Sequence, residues 1–243
     1  AFDRLTHGLD LFAIGALALK ETAIAPDDLV LVISGQFAKG AIGEDDGIVV
    51  LVRIGQADRH AGLRHRLLEQ QARLKGAGII CGVDEVGRGP LAGPVLAVAA
   101  IIPTGADGRP ALPDTVLNRL NDSKKLSLKT REALFDPLVE HVPHGIGMVE
   151  PAEIDRINIL QATFVAMTEA VGKLPTAPDL ALIDGNRVPP RLTCRGEPVI
   201  KGDSKSLSIA AASVIAKVLR DRIMVELAAT FPGYGWDRNA GYG

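Results

Sequence analysis

The alternation of apolar and polar positions divides the chain into two differently patterned stretches. In the first, LDLFAIGALALKE carries apolar residues at helical spacing, while DDLVLVISG and DDGIVVLVRIG are short β-branched runs closed by glycine. Together they predict a small αββ segment over residues 1–60. ADRHAGLRHRLLEQQARLKGAG is charged, rich in helix formers and ends on glycine, which predicts a linker helix over 61–77. From residue 78 onward the order is clearer. GIICGVDE and VLAVAAII flank the glycine- and proline-rich turn GRGPLAGP, which predicts a hairpin-like pair of strands. NDSKKLSLKTREALFDPLVEHV opens a helix at its LS pair, HGIGMVE is a strand, and PAEIDRINILQATFVAMTEAVGKL is one amphipathic helix with Pro151 in its first turn. DLALIDGN is a further strand, followed by the long alanine-rich helix SKSLSIAAASVIAKVLRDRIMVELAATF. Strands mixed with helices in this way predict an α/β layered domain over 78–243.

Composition alters this picture little. A 243-residue chain with 47% hydrophobic and 23% charged residues can bury a core, and a formal net charge of -2 means that a nucleic-acid partner must be held by a local basic patch. No apolar stretch reaches the roughly 18 residues that a membrane helix requires, so no membrane partner is expected. Cys81 and Cys194 stand far apart without a CxxC pairing, which suits a reducing, cytoplasmic location and argues against a zinc site.

The chemistry lies in the acids. Asp84 and Glu85 directly follow an apolar strand, where charge is costly unless a cation or a catalytic task offsets it. On an ideal strand the two face opposite sides, so both reach one site only if the strand is ending or the longer Glu85 reaches around. Asp184 ends a second apolar strand in ALIDGN, the place where α/β proteins present ligands. Asp203 in VIKGDSKS precedes the long helix, and taken alone it reads first as an N-cap or first-turn acid. Were the four to converge, their repulsion would call for divalent cations; oxygen-only ligation suits Mg²⁺ or Mn²⁺, and two such ions can clamp a phosphodiester and activate water. Asp221 is expected to pair with Lys217 at i,i+4, and Glu153 and Asp155 fit a helix's first turn. Arg119, Lys124, Lys125, Lys129 and Arg131 cluster around NDSKKLS, a mixture that can hold phosphates or simply form a solvated helix face.

GVDEVGRGPLAGPV, NDSKKLS, EIDRINILQATFVAM, LIDGN, KGDSKSLSIAAASVIAKVLRDRIM and FPGYGWDRNAGYG occur in that order, and over residues 67–243 the chain closely resembles bacterial ribonuclease HII. The resemblance implies a ribonuclease H-like mixed sheet flanked by helices, and cleavage of the RNA strand of RNA–DNA hybrids or at ribonucleotides embedded in duplex DNA. It assigns metal binding to Asp84, Glu85, Asp184 and Asp203, with Mg²⁺ or Mn²⁺ as cofactor. It also places Gly87, Arg88 and Gly89 at the 2′-hydroxyl of the junction, Tyr242 under the following deoxyribose, and Ser123 and Lys124 on backbone phosphate. The family normally continues past GYG, so a C-terminally truncated catalytic domain and a loosely held Tyr242 are expected. Residues 1–60 are extra to the family, and their strand pattern is only weakly similar to the closing strands of a pyruvate kinase C-terminal lobe. The competing reading is an inactive hybrid-binding remnant fused to an interaction module.

Overall fold

The computed structural model describes residues 18–25, 28–34, 50–54, 67–106, 108–120 and 126–243, which belong to two units dividing between His60 and Ala61. In the first unit β1 (Ala18–Ala25), β2 (Asp28–Ser34) and β3 (Val50–Ile54) form an antiparallel sheet in that order. This corrects part of the helix expected at LDLFAIGALALKE. Residues 18–21 pair with residues 31–34 as strand, and residues 9–17 lie outside the described residues. Apolar spacing over so few positions does not separate helix from strand, and the ladder to the β-branched run of β2 decides the matter.

The second unit is built on a mixed five-stranded sheet. β4 (Ile80–Val86) pairs antiparallel with β5 (Val95–Ala100), and β5 pairs antiparallel with β6 (His144–Val149). On the other side of β4, β7 (Leu180–Asp184) runs parallel to it and β8 (Arg195–Val199) runs parallel to β7, giving the order β6-β5-β4-β7-β8. β8 has no counterpart among the expected elements, because RGEPV is polar and contains a proline, which only an edge strand tolerates. The helices are α1 (Leu67–Leu74), α2 (Asp114–Leu117), α3 (Leu128–His141), α4 (Pro151–Ile157), α5 (Ile159–Gly172), α6 (Leu207–Thr230) and α7 (Trp236–Asn239).

The pleat sorts side chains between two helical layers. Val95, Ala97 and Ala99 of β5 join Cys81 and Val83 of β4 in a core with Ala162, Ala166 and Ala170 of α5. Leu96, Val98 and Ala100 point the other way, into a core with Leu134 and Leu138 of α3 and Ala211 and Ile215 of α6. Two glycines set the spacing. A side chain at Gly82 would run into the backbone of Ser208 and Ile209 in α6, and one at Gly147 into the carbonyl of Ala166 in α5. Both helices therefore lie directly on the sheet.

Three local expectations are revised. The single amphipathic helix from Pro151 is two helices, because Asn158 takes a positive φ of 69°, closes α4 through its N–H to Ile154 and caps α5 by accepting from the N–H groups of Leu160 and Gln161. The cap of α6 is Ser206, whose Oγ accepts from the N–H of Ile209; Asp203 lies in the 3-10 turn Gly202–Ser204 before it. The helix expected as a linker belongs to the second unit, where Ala72 of α1 packs with Ile80, Leu180 and Ile209.

Candidate active site

Asp84 is the fifth of seven residues in β4, opposite Val98, and Glu85 follows it opposite Ala97. The strand continues through both, so they point to opposite faces as the pleat demands. Asp84 lies under α6, where it is 4% exposed, interacts with the Ser213 side chain and accepts at Oδ1 from the N–H of Glu85 at 2.8 Å. Glu85 faces the α5 side, in a recess lined also by Arg88, Thr163, Phe164, Asp184 and Arg187, and its Oε1 pairs with Arg88 at 3.2 Å. Asp184 closes β7, the parallel neighbour of β4, and its position at the strand end lets it line the Glu85 recess while its Oδ1 accepts from the N–H of Gly202 at 2.6 Å. Asp203 is the next residue, 4% exposed. Asp84, Glu85 and Asp184 thus lie within electrostatic reach of one another near the ends of β4 and β7, and Asp203 follows Gly202, whose N–H donates to Asp184.

Their electrostatics follow from this crowding. Burial, and then the charges of Asp184 and Glu85, push the Asp84 carboxyl well above the usual carboxylate range, against the opposing hydrogen bonds from Ser213 and the Glu85 N–H. Burial also raises Glu85, with the Arg88 guanidinium working in the opposite direction. Among the described residues, no three carboxyl, imidazole or thiol groups stand closed around a point where a cation would sit. Asp84, Glu85 and Asp184 nevertheless offer only oxygen donors and raise the cost of one another's charge, a chemistry that hard divalent cations would relieve.

The loop after β4 supplies the second part of the site. Gly87 has φ +104° and is packed so closely on the Pro94 carbonyl that only glycine fits. A side chain at Gly89 would touch the Tyr242 ring, so the GRG and GYG segments lie face to face, joined through the Gly241 carbonyl, which accepts from the N–H groups of Leu91 and Ala92 at 2.9 and 3.3 Å. Arg220 of α6, absent from the candidates read off the sequence, holds them there. It is fully buried and donates to the carbonyls of Pro94 at 3.0 Å, Ala92 at 2.8 Å and Ala240 at 2.9 Å. The one hint in the sequence is that Ala216, Ile223 and Met224, each one helical turn away, are apolar. Asp221 beside it pairs with Lys217 at 2.7 Å, as expected. Of the basic cluster, Arg119, Lys129 and Arg131 are described, while Ser123, Lys124 and Lys125 lie outside the described residues.

A sequence model of the ribonuclease HII family matches residues 81–243, two-thirds of the chain and all of the acids above. The chain belongs to the ribonuclease HII family. It is 59% identical over 169 residues to the ribonuclease HII of Rhodospirillum rubrum, an alignment covering 68% of this chain and 74% of that one. To the ribonuclease HII of Granulibacter bethesdensis it is 50% identical over 181 residues, 74% of this chain and 80% of that one. Among solved structures, the ribonuclease H2 from Pyrococcus horikoshii superimposes with a TM-score of 0.57 at 28% identity, over 68% of this chain and 81% of that one. As a ribonuclease HII, the protein is an endonuclease that cleaves the RNA strand of RNA–DNA hybrids. The family depends on divalent metal. The sheet with its helical layers is the expected ribonuclease H-like mixed sheet. None of the described helices is long and apolar enough to cross a membrane.

Proposed function

We propose that this ribonuclease HII cleaves both continuous hybrids and duplex DNA carrying a single ribonucleotide, using Asp84, Glu85, Asp184 and Asp203 to hold two Mg²⁺ or Mn²⁺ ions. The observation that carries the reading is the meeting of Asp84, Glu85 and Asp184 at adjacent strand ends, with Asp84 and Glu85 held toward their protonated forms in the absence of a cation. Such ions supply an activated water and neutralise charge on the leaving 3′-oxygen.

The chain's own groups do the rest. Asp84, Glu85, Asp184 and Asp203 act as ligands, while the N–H of Gly202 fixes the rotamer of Asp184. Gly87 and Gly89 let the sugar-phosphate chain approach their backbone, where a 2′-hydroxyl, the group that separates RNA from DNA, can be recognised. Tyr242, half-exposed beside Gly89, offers its ring to the next deoxyribose. Arg88, Ser123 and Lys124 take backbone phosphates. Two free cysteines suit a reducing compartment such as the cytoplasm.

The test is a duplex with one embedded ribonucleotide, incubated with the protein in Mg²⁺, in Mn²⁺ and in EDTA. A cut on the 5′ side of the ribonucleotide, leaving 5′-phosphate ends and lost in EDTA, is expected. Cleavage of long hybrids alone would remove the single-ribonucleotide part of the reading.

A further inference from the structure

Glu69 is a buried acid that the chemistry above does not use. It sits on α1, only 6% exposed, and far in sequence from the residues that its carboxyl group hydrogen-bonds. Its Oε1 accepts three hydrogen bonds: from Ser206 Oγ at 2.6 Å, from Ser208 Oγ at 2.8 Å and from the N–H of Ser208 at 3.0 Å. A capping box usually draws its acid from the third residue of the same helix. Here the acid comes from another helix, 137 residues earlier than the cap.

The groups that Glu69 holds lead directly to two of the four acids. Ser206 caps α6 through Ile209, and its own N–H donates to the Gly202 carbonyl at 2.8 Å, closing the turn that carries Asp203. The N–H of Gly202 in turn donates to Asp184 Oδ1 at 2.6 Å. Ser208 is pressed against β4 at Gly82, two residues before Asp84. One carboxyl group therefore anchors the α6 N-terminus, the Asp203 turn and, through Gly202, the orientation of Asp184. Its second oxygen, Oε2, is buried and accepts no hydrogen bond among the described residues, so the whole of its hydrogen bonding is directed at this junction.

We infer that Glu69 is a positioning residue for the cation site: it holds Ser206 and Ser208 so that Asp203 and Asp184 keep the spacing from Asp84 that ligation requires. The inference rests on the reading of those acids as ligands. Groups one step behind metal ligands commonly cost ten- to a hundredfold in affinity or activity when removed.

The experiment uses the full chain and its Glu69→Ala, Glu69→Gln and Asp203→Asn variants. Three readouts are taken well below each melting temperature: Mn²⁺ binding by calorimetry with the metal alone, kcat and KM on a ribonucleotide-containing duplex, and melting temperature in EDTA. For Glu69→Ala the Mn²⁺ dissociation constant is expected to rise and kcat to fall by about tenfold or more, with KM for the duplex within about twofold. Glu69→Gln keeps one oxygen acceptor but loses the charge and should shift Mn²⁺ affinity by about threefold or more. A merely structural role would lower the melting temperature and leave Mn²⁺ affinity and kcat of the folded protein unchanged; that pattern overturns the proposal. Should Glu69→Ala fail to fold, Glu69→Gln decides by the same criterion. Unaltered Mn²⁺ binding in Asp203→Asn would instead overturn the ligand reading and the positioning role with it, whereas loss there with silence at Glu69 overturns the positioning role alone.

Discussion

Asp84 shows how a single residue can cost the fold stability in return for chemistry. The folded protein holds a proton on this carboxyl to higher pH than the unfolded chain does, because burial and the charges of Asp184 and Glu85 disfavour the ion. Between the ordinary aspartate value of 3.8 and the raised one, the native state binds more protons, so its stability falls as pH rises through that window. In EDTA, Asp84→Asn is therefore expected to be more stable than the parent at pH 8, a gain that shrinks on acidification toward the ordinary aspartate range. The same substitution should lower cleavage by about 10³-fold or more. Urea melts at several pH values and an endpoint cleavage assay check both; a variant less stable than the parent at pH 8 would contradict the burial argument. Glu85 shares the raised pKa, but Arg88 offsets part of its cost, so Glu85→Gln should be the less stabilising of the two.

At the scale of elements, the site depends on where helices begin and how closely they lie on the sheet. Asn158 separates α4 from α5 with a positive φ of 69° while its side chain caps α5. Asn158→Ala loses the cap and strains the backbone, a cost of about 1–2 kcal/mol, whereas Asn158→Gly keeps the conformation and should cost only about 0.3 kcal/mol. Chemical denaturation of the two variants distinguishes this from a simple loss of side-chain contacts, which would make glycine the worse choice. Gly82 is the matching point beneath α6. Because a methyl group there meets the Ser208 and Ile209 backbone, Gly82→Ala should cost roughly 3 kcal/mol, and it should also impair cleavage by lifting α6 from the strand that carries Asp84.

Across the second unit, Arg220 joins the turn after β4 to the segment ending in Tyr242, two parts of the chain over a hundred residues apart. Arg220→Met keeps much of the side-chain volume but leaves three carbonyls without their donor. It should destabilise the protein by about 3 kcal/mol, and it should weaken duplex binding, seen as a higher KM, because Gly89 and Tyr242 are no longer held together. The family match covers residues 81–243, and α1 with Glu69 belongs to the unit that begins at Ala61. A chain starting at residue 61 is accordingly expected to fold and to cleave hybrids at the parent rate, measured as kcat/KM. A large loss would show that residues 1–60 contribute to catalysis.

The sequence by itself determined the α/β class, most of the strands and helices of the second unit and the choice of the four acids as candidate ligands. An apolar run that ends abruptly in a carboxylate marks a charge that some partner must offset, and long motifs in order identify a family. The alternation of side chains along a strand also set Asp84 and Glu85 on opposite faces. Only the tertiary structure decided what lies far apart in the chain. The strand at residues 18–21 depends on its ladder to β2, and the cap of α6 on Ser206 rather than Asp203. Arg220 and Glu69 acquire their roles solely from carbonyls and hydroxyls brought in from distant segments. A local pattern records which side chains favour burial or a helix end; it carries no record of which remote backbone groups will need a partner once the layers have packed.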